Sequence, residues 1–155
     1  MSQIDHTIVR RAVPHCIAYT STIQSIPTGT GMTALALDLE EADTDNMHDL
    51  VTNNSYITIK TPGLYWVYGT AGFAVVTAGR RMIRIRSNGT TTIAASEPGS
   101  IADATSFPIL TCGRLTRLAA TNYIELGLTQ TSGGAVNTYI GASHAPYLEA
   151  LWVGL

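Results

Sequence analysis

The stretch TPGLYWVYGTAGF, Thr61 to Phe73, decides the fold of this chain. Thr61-Pro62-Gly63 is turn chemistry, because proline presets φ and glycine admits conformations closed to other residues. Behind it, Leu64 to Val76 is apolar at odd and even positions alike and rich in aromatic and β-branched residues, which reads as one long strand. A strand that is apolar on both faces belongs to an inner sheet or to a subunit interface.

Outward from that strand the chain keeps a period of two. Ser55 to Lys60 alternates and turns Ile57 and Ile59 inward. Arg80 to Arg86 sets Ile83 and Ile85 against Met82, Arg84 and Arg86, and Ser87-Asn88-Gly89-Thr90 is an Asn-Gly hairpin turn leading into Thr91 to Ala95. Upstream, a first strand fits His15 to Ile26, closed by the turn Pro27 to Gly31. A second fits Thr33 to Leu39, with Leu35, Leu37 and Leu39 on one face, and Asp38 to Asp49 reads as an acidic loop. Downstream of a loop from Ser96 to Ser106 come Phe107 to Leu118, Tyr123 to Gln130, Val136 to Gly141 and Tyr147 to Val153. No window keeps a 3.6-residue apolar period. About nine or ten short strands with regular turns predict an all-β, two-sheet antiparallel jelly-roll sandwich over residues 15–155, preceded by an N-terminal arm, residues 1–14.

Composition narrows the function. Hydrophobic residues make up 45% and charged residues 13% of the 155, about half the usual charged share of roughly 25%, so part of the surface is expected to be hidden in subunit contacts. A net charge of −2 provides no global field for nucleic acid or anionic lipid, and neither is an expected partner. No apolar run reaches the roughly 18 residues of a membrane helix. The opening MSQIDHTIVRR carries charges where a signal peptide needs an apolar stretch, so synthesis in a cytoplasm is expected. Cys16 and Cys112 show no metal spacing and read as buried free thiols in preference to a disulfide.

Three segments carry a resemblance. TPGLYWVYGTAGF with its Pro-Gly-x-Tyr, LAATNYIELGLTQTSGG (Leu118 to Gly134) with Leu-Ala-x-x-x-Tyr-x-Glu-Leu, and the closing YLEALWVGL (Tyr147 to Leu155) resemble, in order and spacing, core strands of C1q/TNF-like globular heads. ADTDNMHDLVTNNSYITI (Ala42 to Ile59) is similar to the stretch before that strand in C1q-like proteins of bacteria and their phages. One departure is Asn122, where the family often has Gly-Asp before the tyrosine; asparagine tolerates the left-handed conformation that such a turn uses. No collagen-like stalk is present, so the immune role of the animal members is not implied. The resemblance implies a homotrimer, with candidate interface residues Tyr65, Tyr68, Phe73, Tyr123 and Trp152; each could instead fill the core of one subunit.

Chemistry is hard to find. The chain has no Walker loop, GxGxxG turn, HExxH helix or GxSxG elbow, and neither catalytic residues nor a cofactor are expected. His6, His15, His48 and His144 lack metal-ligand spacing. Six acids between Asp38 and Asp49 could hold calcium, but no glycine-bearing loop sets a coordination geometry, and a solvated loop is the simpler reading. A glycan hydrolase would need paired carboxylates, and Asp103, Glu125 and Glu149 lie in different segments. Asn53 and Asn88 open chance glycosylation sequons. Arg80, Arg81, Arg84 and Arg86 could clamp an anionic group of a partner or pair with the acidic loop.

Together these readings lead to a non-enzymatic virion structural protein: a trimeric decoration, or cement, protein on a phage capsid. Its partners would be itself and the major capsid protein, reached by the arm through Arg10 and Arg11. The alternative is the receptor-binding head of a tail fibre or spike, reading a host glycan or protein.

Overall fold

A computed structural model describes residues 12–98, 105–142 and 144–155, and among these residues there are twelve strands and no helix. They are β1 (His15–Tyr19), β2 (Ser25–Ile26), β3 (Gly29–Ala34), β4 (Leu39–Asp43), β5 (Tyr56–Thr58), β6 (Gly63–Phe73), β7 (Arg81–Ser87), β8 (Thr91–Ser96), β9 (Ile109–Leu118), β10 (Tyr123–Gln130), β11 (Val136–Tyr139) and β12 (Tyr147–Gly154). One sheet runs β2-β11-β6-β12-β1-β4, with β9 paired along the other side of β6. The second runs β5-β10-β7-β8, and β3 lies beside β10, where the Leu35 N–H donates to the Leu126 carbonyl at 2.9 Å. All ladders are antiparallel. The predicted two-sheet jelly roll is the fold observed.

Alternation decides which residues meet between the sheets. From the first sheet come Cys16, Ala18, Tyr65, Val67, Ala71, Phe73, Leu148 and Ala150; from the second come Ile57, Ile83, Ile85, Ile124, Leu126 and Leu128, all fully buried. Gly69 faces inward where a β-carbon would run into the Leu126 side chain, so the bare position lets the sheets come close there. The Pro-Gly turn has its own packing reason. Trp152 Nε1 donates to the Pro62 carbonyl at 3.3 Å, and a β-carbon on Gly63 would collide with that indole and with the Gly154 carbonyl. The Tyr65 hydroxyl closes the turn by donating to the Thr61 carbonyl at 2.6 Å. Burial, with a smaller contribution from Asp45, pushes this phenol up to about 12.

Four sequence expectations change. The turn expected at Pro27 to Gly31 and the strand expected over Thr33 to Leu39 give way to β3 over Gly29–Ala34, with Leu35 and Leu37 buried after it and Leu39 exposed at the start of β4. The strand expected from His15 to Ile26 breaks after Tyr19, because the turn at Thr20 to Thr22 is held by side chains: Asp38 accepts the Ser21 N–H at 2.7 Å and the Thr22 hydroxyl at 3.1 Å. Half of the expected acidic loop is β4, the edge strand beyond β1, with a bulge between Ile17 and Ala18; charged residues suit an unpaired sheet edge. In the turn before Tyr123 the left-handed residue is Thr121 (φ 71°), not Asn122. Asn122 closes the turn instead, its Oδ1 accepting the Ala119 N–H at 3.0 Å. The Asn-Gly hairpin is as expected, with Asn88 and Gly89 both at positive φ, 52° and 72°.

Candidate functional site

The outward positions of the larger sheet form a continuous face. Strand pairing sets them in rows: Leu115 of β9, Trp66 of β6 and Leu151 of β12; Gly113, Tyr68 and Glu149, with Ile17 of β1; and Thr111, Thr70 and Tyr147, with Tyr19. Two large apolar side chains stand open to solvent at one end of this face, Trp66 at 40% and Leu115 at 49%, and two more, Ile109 and Phe107 at 48% and 46%, at the other end of β9 and its approach. Exposed apolar side chains at both ends of one strand make this face the candidate site.

Glycine shapes the face at one point. A β-carbon on Gly113 would lie 3.0 Å from Tyr68 Cδ2 and 2.9 Å from the Val67 carbonyl oxygen, so the Tyr68 ring lies over β9 only because that position is bare. Tyr68 also meets Tyr147, with ring centroids 5.8 Å apart. Phe107 stacks on Tyr139 at 3.9 Å, and His144 lies 6.2 Å beyond Tyr139.

At the β1, β4 and β12 end, the face sinks into a pocket of about 340 Å³ lined by Ile17, Tyr19, Glu41, His144, Tyr147 and Glu149. Glu149 is paired with His15 Nε2 at 3.0 Å. Glu41 is exposed where β4 bulges from register with β1. Burial pushes the His144 ring below the usual histidine range, and pushes the Tyr147 hydroxyl up, with help from Tyr68, Glu149 and Glu41. The pocket is aromatic-walled and acidic, a chemistry suited to a cation.

Of the five aromatic candidates, only Tyr68 lies on this face. Tyr65 and Phe73 are fully buried in the sandwich and have no surface to offer another chain. Tyr123 belongs to the other sheet and stacks on Tyr56 at 4.1 Å. Trp152 packs partly buried against the core at the Pro62 turn. The residues missed were Trp66, Leu115, Ile109, Leu151 and Tyr147. In Leu64 to Phe73 both parities are apolar, so periodicity could not say which one faces out; the bare Gly69, needed where the sheets touch, was the available signal.

The arginines form no anion clamp. Arg80 pairs with Glu97, and Arg86 pairs with Glu125 at 2.7 Å. Arg81 is 2% exposed, donates to the Val76 and Arg80 carbonyls at 3.0 Å, and lies 5.4 Å over the Phe73 ring; burial lowers its pKa. Arg84 turns its Nε toward Met82 Sδ at 2.7 Å. The carboxylate partners are therefore Glu97 and Glu125, not the Asp38 to Asp49 segment. Arg10 and Arg11 lie outside the described residues.

The acids of that segment are occupied internally. Asp43 accepts the Met47 and His48 N–H groups at 2.9 and 3.0 Å, Glu40 binds His48 Nδ1 at 2.9 Å, and Asp49 accepts the Val51 and Thr52 N–H groups at 2.9 Å. Among the described residues no three His, Cys, Asp or Glu side chains gather as a metal site would need. Glu125 and Glu149 belong to different sheets, and Asp103 is outside the described residues.

The architecture is that of a C1q/TNF-like jelly roll. Three solved structures with this fold are the globular domain of zebrafish complement 1qA protein (12% identity, 90% of this chain and 97% of that one covered, TM-score 0.60), Eiger TNF from S. frugiperda (12%, 93% and 94%, 0.64), and murine APRIL (12%, 92% and 100%, 0.68). No family model matches the sequence, and no curated protein matches it.

Proposed function

We propose that this protein is a non-enzymatic binding module that assembles as a homotrimer through the outer face of its larger sheet, and that the trimer decorates and reinforces a phage capsid. The observation that carries the assembly reading is the exposure of four large apolar side chains along β9 and its neighbour, Trp66 with Leu115 at one end and Ile109 with Phe107 toward the other. Covering such side chains by association removes apolar surface from water. The low charged fraction, 13%, points the same way. The absence of the usual nucleotide, zincin and hydrolase motifs favours binding over catalysis.

The capsid reading rests on the likeness of Ala42 to Ile59 to phage-type sequences, and on the route by which the arm enters. Beyond residue 11 the chain is fixed between β12 and the end of β4: the Thr44 hydroxyl donates to the Val13 carbonyl at 2.7 Å, and the Trp152 N–H donates to the Pro14 carbonyl at 2.9 Å. A three-fold assembly with three arms gains strength because each later attachment is intramolecular.

The test is light scattering on the full chain and on a deletion of residues 1–11, each then mixed with undecorated phage shells. Trimers of both forms, with only the full chain bound to shells, is the expected result. A trimer that ignores shells and binds bacterial cells would replace the capsid reading with a receptor-binding head.

A further inference from the structure

We infer that the acidic aromatic pocket on this face receives the guanidinium of Arg114 from a second copy of the chain. The inference rests on the reading that copies meet through the outer face, and names the contact that sets their register.

A closed ring of more than two identical subunits cannot use one patch twice; each interface joins two unlike surfaces of the same chain. The pocket supplies one of them: its lining combines the carboxylates Glu41 and Glu149 with the neighbouring rings of Tyr19 and Tyr147 and the Ile17 side chain. Its complement should be an exposed cation flanked by apolar groups on another side of the molecule. The β9 side of the sheet has that arrangement. Arg114 sits at an inward position of β9, opposite Val67, yet is exposed, so its side chain leaves the sandwich at its side and not through the face. It makes no ion pair with any described residue. Leu115 follows it, and Ile109 and Phe107 lie along the same strand and its approach, all exposed.

Its own pocket is out of reach. β6 and β12 lie between β9 and β1, about 14 Å at the usual strand spacing, and Arg114 leaves by a different side. A neighbouring β9 laid against the face of β12 and β1 brings Arg114 to Glu41 and Glu149 and covers its own exposed Leu115 in the same movement. Arg117 is the weaker candidate, since its guanidinium already donates to the Leu155 carbonyl at 3.3 Å.

The experiment is a charge swap read by sedimentation over a range of protein concentrations and at low and high salt. Arg114→Glu and Glu41→Arg should each weaken assembly roughly tenfold or more at low salt, and the double variant should recover most of the loss. Circular dichroism shows whether each variant is folded, as expected for exposed positions. Arg114→Glu assembling as tightly as the unmodified chain, while Leu115→Arg dissociates it, would overturn this contact and leave the face reading standing. An unmodified chain that stays monomeric at every concentration would overturn both. Binding of a labelled oligolysine peptide to that monomer, lost in Glu41→Arg, would reassign the pocket to a foreign basic partner.

Discussion

Thr121 is β-branched and held at φ 71°, where its branched side chain crowds the backbone. The turn needs the conformation because the Thr121 N–H must reach the Ile59 carbonyl at 2.8 Å, a bond any residue can make. Its side chain is exposed, so Thr121→Gly should stabilise the fold by about 1 kcal/mol, seen as a melting temperature raised by roughly 2–4 °C. Asp38 works in the opposite sense. Burial disfavours its charge, but hydrogen bonds from the Ser21 N–H, the Ser21 hydroxyl and the Thr22 hydroxyl outweigh that and hold its pKa below the usual carboxylate value. A lowered folded pKa means that its stabilisation is complete above the ordinary aspartate value of about 3.9 and is lost as pH falls through the folded value. Asp38→Asn should therefore cost about 1 kcal/mol at pH 7, small because solvent screens the site, and the two proteins should converge in acid. Residues with one strong local reason were legible in sequence: Asn88 and Gly89, or Ile57, Ile83 and Ile85. Thr121 was not, because its conformation is imposed by Ile59 from a distant turn.

At the scale of the strand, β6 was legible as a buried, doubly apolar element, and its environment was not. Its two parities differ in sequence only by what faces them: Tyr65 and Phe73 meet the second sheet, whereas Trp66 and Tyr68 look out beside β9 and β12. Pairing between strands distant in sequence determines that difference, and no local pattern encodes it. Assembly by this face predicts that Trp66→Arg or Leu115→Arg abolishes self-association, measured by light scattering, while each variant keeps the far-ultraviolet dichroism of the native chain. Exposed positions away from caps and ion pairs tolerate substitution within about 0.5 kcal/mol. The acidic segment shows the same limit. Glu40 and Asp43 were read as solvated charges, yet they bind His48 and the backbone of the following turn, with β4 forming the edge strand.

For the molecule as a whole, the sheets enclose both thiols. Cys16 on β1 and Cys112 on β9 are free and buried, separated by β12 and β6, about 14 Å at usual strand spacing and beyond the roughly 7 Å limit for a disulfide. Burial pushes the Cys112 thiol up to about 11; burial, with Asp43 and Glu40, pushes Cys16 higher still. A thiol reagent at neutral pH should therefore leave both unlabelled in the native protein and modify both in guanidinium, so that the labelling rate reports global opening. One consequence of the topology concerns the order of manufacture. β12, the last of the described strands in chain order, lies between β6 and β1, the first of them. A ribosome that has released the other eleven described strands has still not delivered the piece that joins the two halves of the larger sheet. The larger sheet must wait for β12 before it can close, and until then the facing edges of β1 and β6 are unpaired and open to mispairing.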